Sequence, residues 1–240
     1  FDDMRGDLPD LAARQVEIID WIAERTRAGR LIVCPSYYTD DPVLDRVFGQ
    51  RPEGYLQALG GALDQRIELM WTGEEVCARA FSPGHLARVG EQMRRKPFLW
   101  DNYPVNDGPR MSRHLHLRAF TGRPATIGDH ICAHGVNTAS QATLSHIPCL
   151  TLAESYRAGD AYEYAAAFRR AAVTVLGPDL ADAVERALLS LEDAGLDGLG
   201  DEQKARLRER FAAFDHPAAR EITAWLDGAY AVGTEELHTQ

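Results

Sequence analysis

Short apolar runs alternate with helical segments along the first two thirds of the sequence, and this alternation is the feature that most restricts the fold. The runs are LIVC, IELMW and PFLW at residues 31–34, 67–71 and 97–100, with a weaker fourth run inside residues 125–135. Continuous apolar runs of this length are typical of strands buried on both faces of a parallel sheet. Helical spacing predicts helices over residues 7–29, 54–63 and 83–95, and another that begins near Ser145. The pattern therefore predicts an α/β fold with a parallel sheet covered by helices.

Polar side chains follow the predicted strands at the points where the strands end. They are Ser36, Tyr37 and Tyr38, then Thr72, then Asp101 and Asn102, then Asn137, while the acids Asp2 and Asp3 stand one strand-helix unit earlier. In folds with parallel strands, functional residues collect at the carboxyl ends of the strands. We therefore expect a functional site at that edge of the sheet.

The composition changes beyond residue 157. Four Ala-rich and charged segments with helical spacing occupy residues 159–240, and Gly, Pro or an Asp-His-Pro sequence separates them. We predict two domains, with the strand-helix units in residues 1–157 and a helical bundle in residues 158–240. The bundle is also a candidate surface for homodimerisation.

Charge and cysteine content limit the partners and the compartment. The 240 residues include 26 Lys and Arg against 36 Asp and Glu, which gives a net charge of −10 and argues against nucleic acid or an anionic membrane as the main partner. The sequence has no apolar run of about 18 residues, the length that a membrane span requires. The four cysteines are far apart and have no CxxC spacing, as expected of reduced thiols. We therefore expect a cytoplasmic protein.

Two stretches carry groups suited to sugar chemistry. Asp2 and Asp3 are adjacent carboxyl groups, although neighbouring acids are also common on exposed surfaces. The stretch WDNYPVND at residues 100–107 combines an aromatic ring with Asp and Asn side chains. Sugars need such a combination, because their hydroxyls pair with polar groups and their C–H faces stack on aromatic rings. The same residues would also suit a purely structural role, as an Asx-rich turn beside a core tryptophan.

The histidines support a competing hypothesis. His114 and His116 form an H-x-H pair, His130 and His134 lie four residues apart, and imidazoles are common ligands of hydrolytic zinc. A metal-dependent barrel hydrolase that uses these four histidines is therefore an alternative. The sequence has no Gly-rich phosphate loop, nucleophile elbow or Cys-His pattern, and we expect no cofactor.

Seven motifs, taken together and in order, resemble the catalytic region of glycoside hydrolase family 84, the family of O-GlcNAcases and bacterial β-N-acetylglucosaminidases. The motifs are FDDM, CPSYY, YLQALGGAL, WTGEEV, WDNYPVND, TGRP and GVNTASQATLSHIPC, all within residues 1–157. The resemblance implies the C-terminal half of a (β/α)₈ barrel followed by a helical bundle. It also implies that the chain is part of a longer protein.

The resemblance further implies a retaining glycosidase that removes terminal β-linked N-acetylglucosamine from a glycoprotein or glycoside. The acetamido group of the substrate would act as the nucleophile and form an oxazoline intermediate, oriented by Asp2, while Asp3 would serve as general acid and base. The implied substrate-binding residues are Tyr38, Asn102, Asp107 and Asn137, together with Cys34, Thr72, Val76 and Trp100 around the acetamido methyl group. A non-catalytic glycan-binding or protein-binding scaffold on the same barrel remains the other alternative.

Overall fold

The computed structural model describes residues 1–2, 4–6 and 8–233. Contacts among these residues divide the chain into two compact units. The first comprises residues 1–102 and 122–135, and the second comprises residues 103–121 and 136–233. The division into residues 1–157 and 158–240 stays a prediction.

A four-stranded sheet lies in the first unit. Its strands, in spatial order, are β1 (Leu31–Val33), β2 (Ile67–Trp71), β3 (Phe98–Asp101) and β4 (Ala133–Val136). β1 and β2 are parallel with Leu31 opposite Ile67, and β2 and β3 are parallel with Met70 opposite Phe98. The predicted α/β fold with parallel strands is therefore confirmed. The fourth strand begins at Ala133, inside the stretch that was predicted to contain it, and a 3₁₀ helix at Ala125–His130 precedes it.

The first unit has four main helices, and two of them begin at strong local signals. They are α1 (Leu11–Arg25), α2 (Pro42–Phe48), α3 (Tyr55–Ala62) and α4 (Pro83–Met93). Asp41 caps α2 by accepting from the backbone N–H of Val43 at 2.9 Å, and Ser82 caps α4 by accepting from the N–H of His85 at 3.1 Å. Proline occupies the first turn of both helices, where its missing N–H has no intrahelical partner to lose.

Gly60 allows α3 to pack closely against the end of α4. A Cβ atom at this position would overlap the carbonyl oxygen of Met93. The guanidinium of Arg95 then donates to the carbonyl oxygens of Gly60 at 2.6 Å and Leu63 at 3.1 Å. Arg95 thus satisfies backbone acceptors that the end of α3 leaves without intrahelical partners.

The second unit is built mainly from helices. They are α5 (Ala142–Ala158), α6 (Tyr164–Leu176), α7 (Pro178–Leu188), α8 (Gly195–Gly198), α9 (Asp201–Ala212) and α10 (Pro217–Leu226), with 3₁₀ turns at Met111–Arg113 and Gly159–Ala161 and a π-helical turn at Leu189–Ala194. Phe168, Val184, Phe211 and Trp225 lie in its buried core. Within the described residues, no helix is both long enough and apolar enough to cross a membrane.

A carboxylate from α10 caps the beginning of α5. The two oxygens of Glu221 accept hydrogen bonds from the backbone N–H groups of Thr143 at 2.8 Å and Leu144 at 3.0 Å. The first N–H groups of a helix have no intrahelical acceptor, and the positive end of the helix dipole favours a negative charge there. Glu221 therefore fixes the point at which α5 starts.

Candidate active site

The first residues of the chain lie beside the carboxyl end of β1. The nitrogen of Phe1 donates to the carbonyl oxygen of Cys34 at 2.9 Å, and the hydroxyl of Ser36 donates to the carbonyl oxygen of Phe1 at 3.1 Å. Asp2 follows directly, with a side chain that is 69% exposed. Asp3 lies outside the described residues. The structure thus places Asp2 at the edge of the sheet where the sequence predicts a site.

Gly6 anchors the segment that follows the acids. Its backbone N–H donates to the carbonyl oxygen of Phe48 at 2.9 Å. The ring of Tyr37 covers Gly6 so closely that an added Cβ atom would overlap the phenol. Only glycine therefore lets this segment pass under Tyr37 without moving the ring.

The loops after β1 and β2 continue the pairing of their strands. The N–H of Thr72 donates to the carbonyl oxygen of Tyr38 at 2.8 Å, and the hydroxyl of Thr39 donates to the carbonyl oxygen of Gly73 at 2.8 Å. Tyr38 and Thr72 are both buried. Two of the predicted binding residues are thus held together by main-chain pairing that extends beyond the strands.

Asn102 joins two further predicted binding residues. Its Nδ2 donates to the carbonyl oxygen of Val76 at 2.8 Å, and its Oδ1 accepts from the indole Nε1 of Trp100 at 3.1 Å. The backbone N–H of Val76 also donates to Asp41 at 3.2 Å. The end of β3 is therefore tied by one amide side chain to the loop that follows β2.

A buried ion pair lies directly beside these residues. Asp101 is fully buried, and its carboxylate accepts from Arg123 through Nη2 at 2.6 Å and Nε at 2.8 Å. Nε2 of His134 lies 3.1 Å from the same carboxylate. Arg123 also donates to the carbonyl oxygens of Arg79 at 2.6 Å and Ala78 at 2.9 Å. Sequence reasoning did not identify Arg123 as a site residue, and its position in the TGRP motif was the one signal available.

A second charged network lies around His85. Nε2 of His85 accepts from the indole Nε1 of Trp71 at 3.0 Å, and desolvation by burial lowers the pKa of this imidazole. Asp40 accepts from Arg88 at 2.9 Å and from Arg51 at 3.1 Å. Burial opposes ionisation of Asp40, but the hydrogen bonds from these two arginines outweigh it and hold the pKa of Asp40 below its ordinary value.

Asp107 and Asn137 belong to the second unit, where Asn106 joins the loops that carry them. Asp107 is exposed and Asn137 is half-buried. The buried Asn106 accepts from the backbone N–H of Ser140 at 2.9 Å and donates to the side-chain oxygen of Gln141 at 2.8 Å. This pairing fixes the loop of Asp107 against the loop that follows Asn137.

The four histidines of the metal hypothesis have separate surroundings. Nδ1 of His114 donates to the carbonyl oxygen of Glu192 at 2.8 Å, and His116 lies within 3.1 Å of the carbonyl oxygen of Pro104. His134 contacts Asp101, as described above, and His130 ends a 3₁₀ helix. In the described part of the chain, no three His, Cys, Asp or Glu side chains lie where they could hold a metal ion. The described residues therefore lend the metal-dependent alternative no support.

The π-helical turn places a largely buried carboxylate in the second unit, with a side chain that is 11% exposed. Oε2 of Glu192 accepts from the backbone N–H groups of Leu117 at 3.1 Å and Arg118 at 3.0 Å. Desolvation by burial raises the pKa of Glu192 above its ordinary value, although these hydrogen bonds oppose the shift. Glu192 thus fixes residues 117–118, which precede the TGRP motif.

A family model described as NAGidase, beta-N-acetylglucosaminidase, matches residues 8–190. The chain belongs to this β-N-acetylglucosaminidase family. The match confirms the resemblance seen in the ordered motifs, and it includes every predicted binding residue from Cys34 to Asn137. The match begins after Asp2 and Asp3. The roles expected of these two acids therefore rest on the FDDM motif alone, because the matched region does not include them.

Individual relatives have names that agree with this family. Protein O-GlcNAcase of Mus musculus is 26% identical over 126 residues, which are 52% of this chain and 13% of the mouse protein. The protein of the same name from Rattus norvegicus gives the same identity and coverage. A mutant O-GlcNAc hydrolase of Thermobaculum terrenum is similar in structure, with a TM-score of 0.76 and 25% identity over 96% of this chain and 57% of that chain. The chain therefore spans a small part of the mammalian relatives and about half of the bacterial structure.

Proposed function

We propose that the protein containing this chain is a retaining β-N-acetylglucosaminidase that removes terminal β-linked N-acetylglucosamine from proteins or other glycosides. The observation that carries this proposal is the family match over residues 8–190. Relatives named O-GlcNAcase and O-GlcNAc hydrolase point to O-linked N-acetylglucosamine on proteins as the preferred substrate.

The proposed reaction uses the acetamido oxygen of the substrate as the nucleophile. Asp2 accepts a hydrogen bond from the acetamido N–H and directs the carbonyl oxygen at the anomeric carbon. Asp3 protonates the leaving oxygen and then removes a proton from the water that opens the oxazoline. Two adjacent carboxyl groups suit this division of roles, because one can accept the acetamido hydrogen bond while the other acts as general acid and base.

The remaining residues bind the sugar in this proposal. Cys34, Thr72, Val76 and Trp100 form a small slot for the acetamido methyl group, called the acetamido pocket below. Such a slot holds the nucleophile in attack geometry and excludes sugars that lack it. Tyr38, Asn102, Asp107 and Asn137 contact the polar groups of the sugar. The hydrogen bonds that join Val76, Asn102 and Trp100 support a preformed pocket.

We also propose that the four-stranded sheet is the C-terminal half of a (β/α)₈ barrel and that residues 158–240 form a helical bundle. Support comes from the side of the sheet at β1, where the described residues contribute no neighbouring strand and Ile32 is 38% exposed. Ile18, Trp21 and Ile22 of α1 are also exposed. Apolar residues of this kind are usually covered in a complete domain. Homodimerisation through the bundle stays a prediction.

The proposal is tested on the whole protein with two substrates of different leaving group. The substrates are 4-nitrophenyl N-acetyl-β-glucosaminide, whose leaving group needs little protonation, and an O-GlcNAc peptide, whose leaving group needs a proton. Because general acid catalysis contributes roughly 10²- to 10⁴-fold, Asp3→Asn should lower kcat/KM for the peptide by about that factor and much less for the aryl glycoside. Asp2→Asn should lower both rates, since both substrates use the acetamido nucleophile.

Three results would overturn the proposal. Equal losses on both substrates would remove the acid role of Asp3. Sugar binding without turnover in the unmodified protein would favour the scaffold. Loss of activity with a chelator and recovery with zinc would restore the metal-dependent alternative.

A further inference from the structure

We infer that Arg123 is a positioning residue that sets the width of the acetamido pocket, an inference that rests on the proposed function. Arg123 joins the loop after β2, which carries Val76, to the end of β3, which carries Trp100. Both residues line the acetamido pocket in the proposal. The substrate property controlled by Arg123 is therefore the size of the N-acyl group.

The first part of this argument is the geometry of the ion pair. The guanidinium and the carboxylate of Asp101 form a two-pronged contact, with Nη2–Oδ1 at 2.6 Å and Nε–Oδ2 at 2.8 Å. Both side chains are buried, with exposed fractions of 6% for Arg123 and 0% for Asp101. A planar contact of two parallel hydrogen bonds fixes orientation as well as distance. Asp101 stands between Trp100 and Asn102, so its backbone position also fixes theirs.

The second part is the contact with the loop after β2. Nη1 of Arg123 donates to the carbonyl oxygen of Arg79 at 2.6 Å, and Nη2 donates to the carbonyl oxygen of Ala78 at 2.9 Å. The guanidinium also lies over the ring of Phe81, 5.0 Å from its centroid. These carbonyl groups stand two and three residues beyond Val76. One rigid group therefore holds the Val76 loop and the end of β3 at a fixed separation.

Asn102 provides the second connection between the same two segments. Asn102 donates to the carbonyl oxygen of Val76, which is itself one of the residues of the proposed pocket. Without Arg123, the loop would still be held by this bond and by the hydrogen bond from the N–H of Val76 to Asp41. We therefore expect loss of Arg123 to widen the pocket without abolishing it.

The test compares two aryl glycosides that differ in the N-acyl group, N-acetyl and N-butanoyl. A well-fitted apolar slot discriminates by about 10-fold or more per methylene group, so the unmodified protein should strongly prefer the N-acetyl substrate. Arg123→Lys keeps the charge but loses the planar arrangement of donors. The variant should show a ratio of kcat/KM values, N-acetyl over N-butanoyl, that is at least about 10-fold smaller, on the same scale.

A double variant guards against misfolding caused by an unpaired buried charge. Arg123→Met combined with Asp101→Asn removes both charges, so no buried carboxylate is left without its cation. This variant should also show the smaller ratio. Circular dichroism and the urea unfolding midpoint identify folded variants, and the ratio of the two kcat/KM values is independent of the active fraction.

Arg30→Lys is the matched control. Arg30 makes the same two-pronged contact with Glu68, at 2.9 Å and 2.7 Å, but just before β1 and therefore at the opposite end of the strands from the proposed pocket. It should leave the substrate ratio unchanged. If both folded Arg123 variants keep the ratio of the unmodified protein, Arg123 has a structural role alone and the inference is wrong. If the unmodified protein hydrolyses neither glycoside, the proposed function fails instead.

Discussion

Asn106 and Gln141 are joined side chain to side chain in the buried interior of the second unit, with 2.8 Å between Nδ2 of Asn106 and Oε1 of Gln141. The same Nδ2 donates to the carbonyl oxygen of His114 at 3.1 Å, and Oδ1 accepts from the N–H of Ser140. Asn106 thus satisfies three groups, one at His114 and two at the neighbouring residues Ser140 and Gln141. It stands immediately before Asp107, a proposed sugar contact.

Replacing Asn106 with Asp should destabilise the protein. The carboxylate can still accept from Ser140, but it cannot donate to the carbonyl oxygen of His114. Leaving buried polar groups unpaired costs about 1–3 kcal/mol, which should appear as a lower free energy of unfolding in urea. Ser140→Ala is the control, because Ser140 contributes its backbone N–H and should stay within about 0.5 kcal/mol of the unmodified protein. An unaltered unfolding midpoint for Asn106→Asp would contradict this account.

The neighbouring glycines of α3 should respond in opposite directions to alanine. At Gly60 the new Cβ atom meets the Met93 carbonyl, so Gly60→Ala should cost about 1–3 kcal/mol or more through overpacking. At Gly61 the nearest atoms belong to the flexible Arg94 guanidinium at 3.5 Å, and Gly61→Ala should stabilise by up to about 1 kcal/mol through helix propensity. Chemical denaturation of both variants checks the contrast. Similar effects at the two positions would show that α3 and α4 are not packed as described.

Glu192 should make stability depend on pH. Its folded-state pKa is raised above the ordinary value of 4.5, so the unfolded chain releases the proton more readily than the folded one. Its contribution is therefore full below pH 4.5 and declines as the pH rises through the folded-state pKa. Glu192→Gln stays neutral and can present one oxygen to both backbone N–H groups. The free energy of unfolding of the variant, relative to the unmodified protein, should rise from pH 4 to pH 8.

The control for Glu192 is Glu209→Gln on α9, which removes an exposed carboxylate from the same unit. It should leave the pH dependence of unfolding almost unchanged. A pH profile of Glu192→Gln that runs parallel to that of the unmodified protein would show that burial does not raise the pKa of Glu192.

His85 should make stability depend on pH in the direction opposite to that of Glu192. Its folded-state pKa is lowered from 6.5, and protonation of Nε2 would remove the acceptor for the Trp71 indole. Arg88, Asp40 and Glu74 also face the imidazole. Its contribution is therefore full above pH 6.5 and is lost as the pH falls through the folded-state pKa.

Replacing His85 with Gln should flatten the fall in stability between pH 7 and pH 5, because the amide oxygen can accept from Trp71 without titrating in this range. Thermal unfolding across that range, together with tryptophan fluorescence, measures the effect. His146→Gln removes an exposed histidine on α5 and serves as the control. If the His146 and His85 variants give the same pH profile, the Trp71 contact does not couple protonation to stability.

Local sequence patterns predicted the main elements well. The runs IELMW and PFLW correspond to β2 and β3, because continuous apolar runs suit strands buried on both faces. The sequence predicts a weaker strand inside residues 125–135, and β4 begins there at Ala133, after a 3₁₀ helix in which Ile127 is buried. α2 was not predicted, because seven residues give too little periodicity, although Asp41 and Pro42 mark its start.

Long-range polar contacts could not be predicted in the same way. Asp101 and Arg123 are 22 residues apart, and Glu221 is 78 residues from Thr143. A sequence with 26 basic and 36 acidic residues permits very many such pairs. Spacing favours partners three or four residues apart on one helix, whereas these contacts depend on how whole elements pack. The family motifs identified the loops of the candidate site, but not the side chains that fix their positions.

The cap that Glu221 provides has a consequence for shortened forms of the protein. The proposed sugar contact Asn137 stands five residues before α5, and the start of α5 is held by a carboxylate from the last helix of the described chain. Proteolysis between α9 and α10 would therefore loosen a segment far upstream of the cut. If α10 leaves after such a cut, the N–H groups of Thr143 and Leu144 lose their acceptor, and the segment that carries Asn137 loses the contact that holds its end.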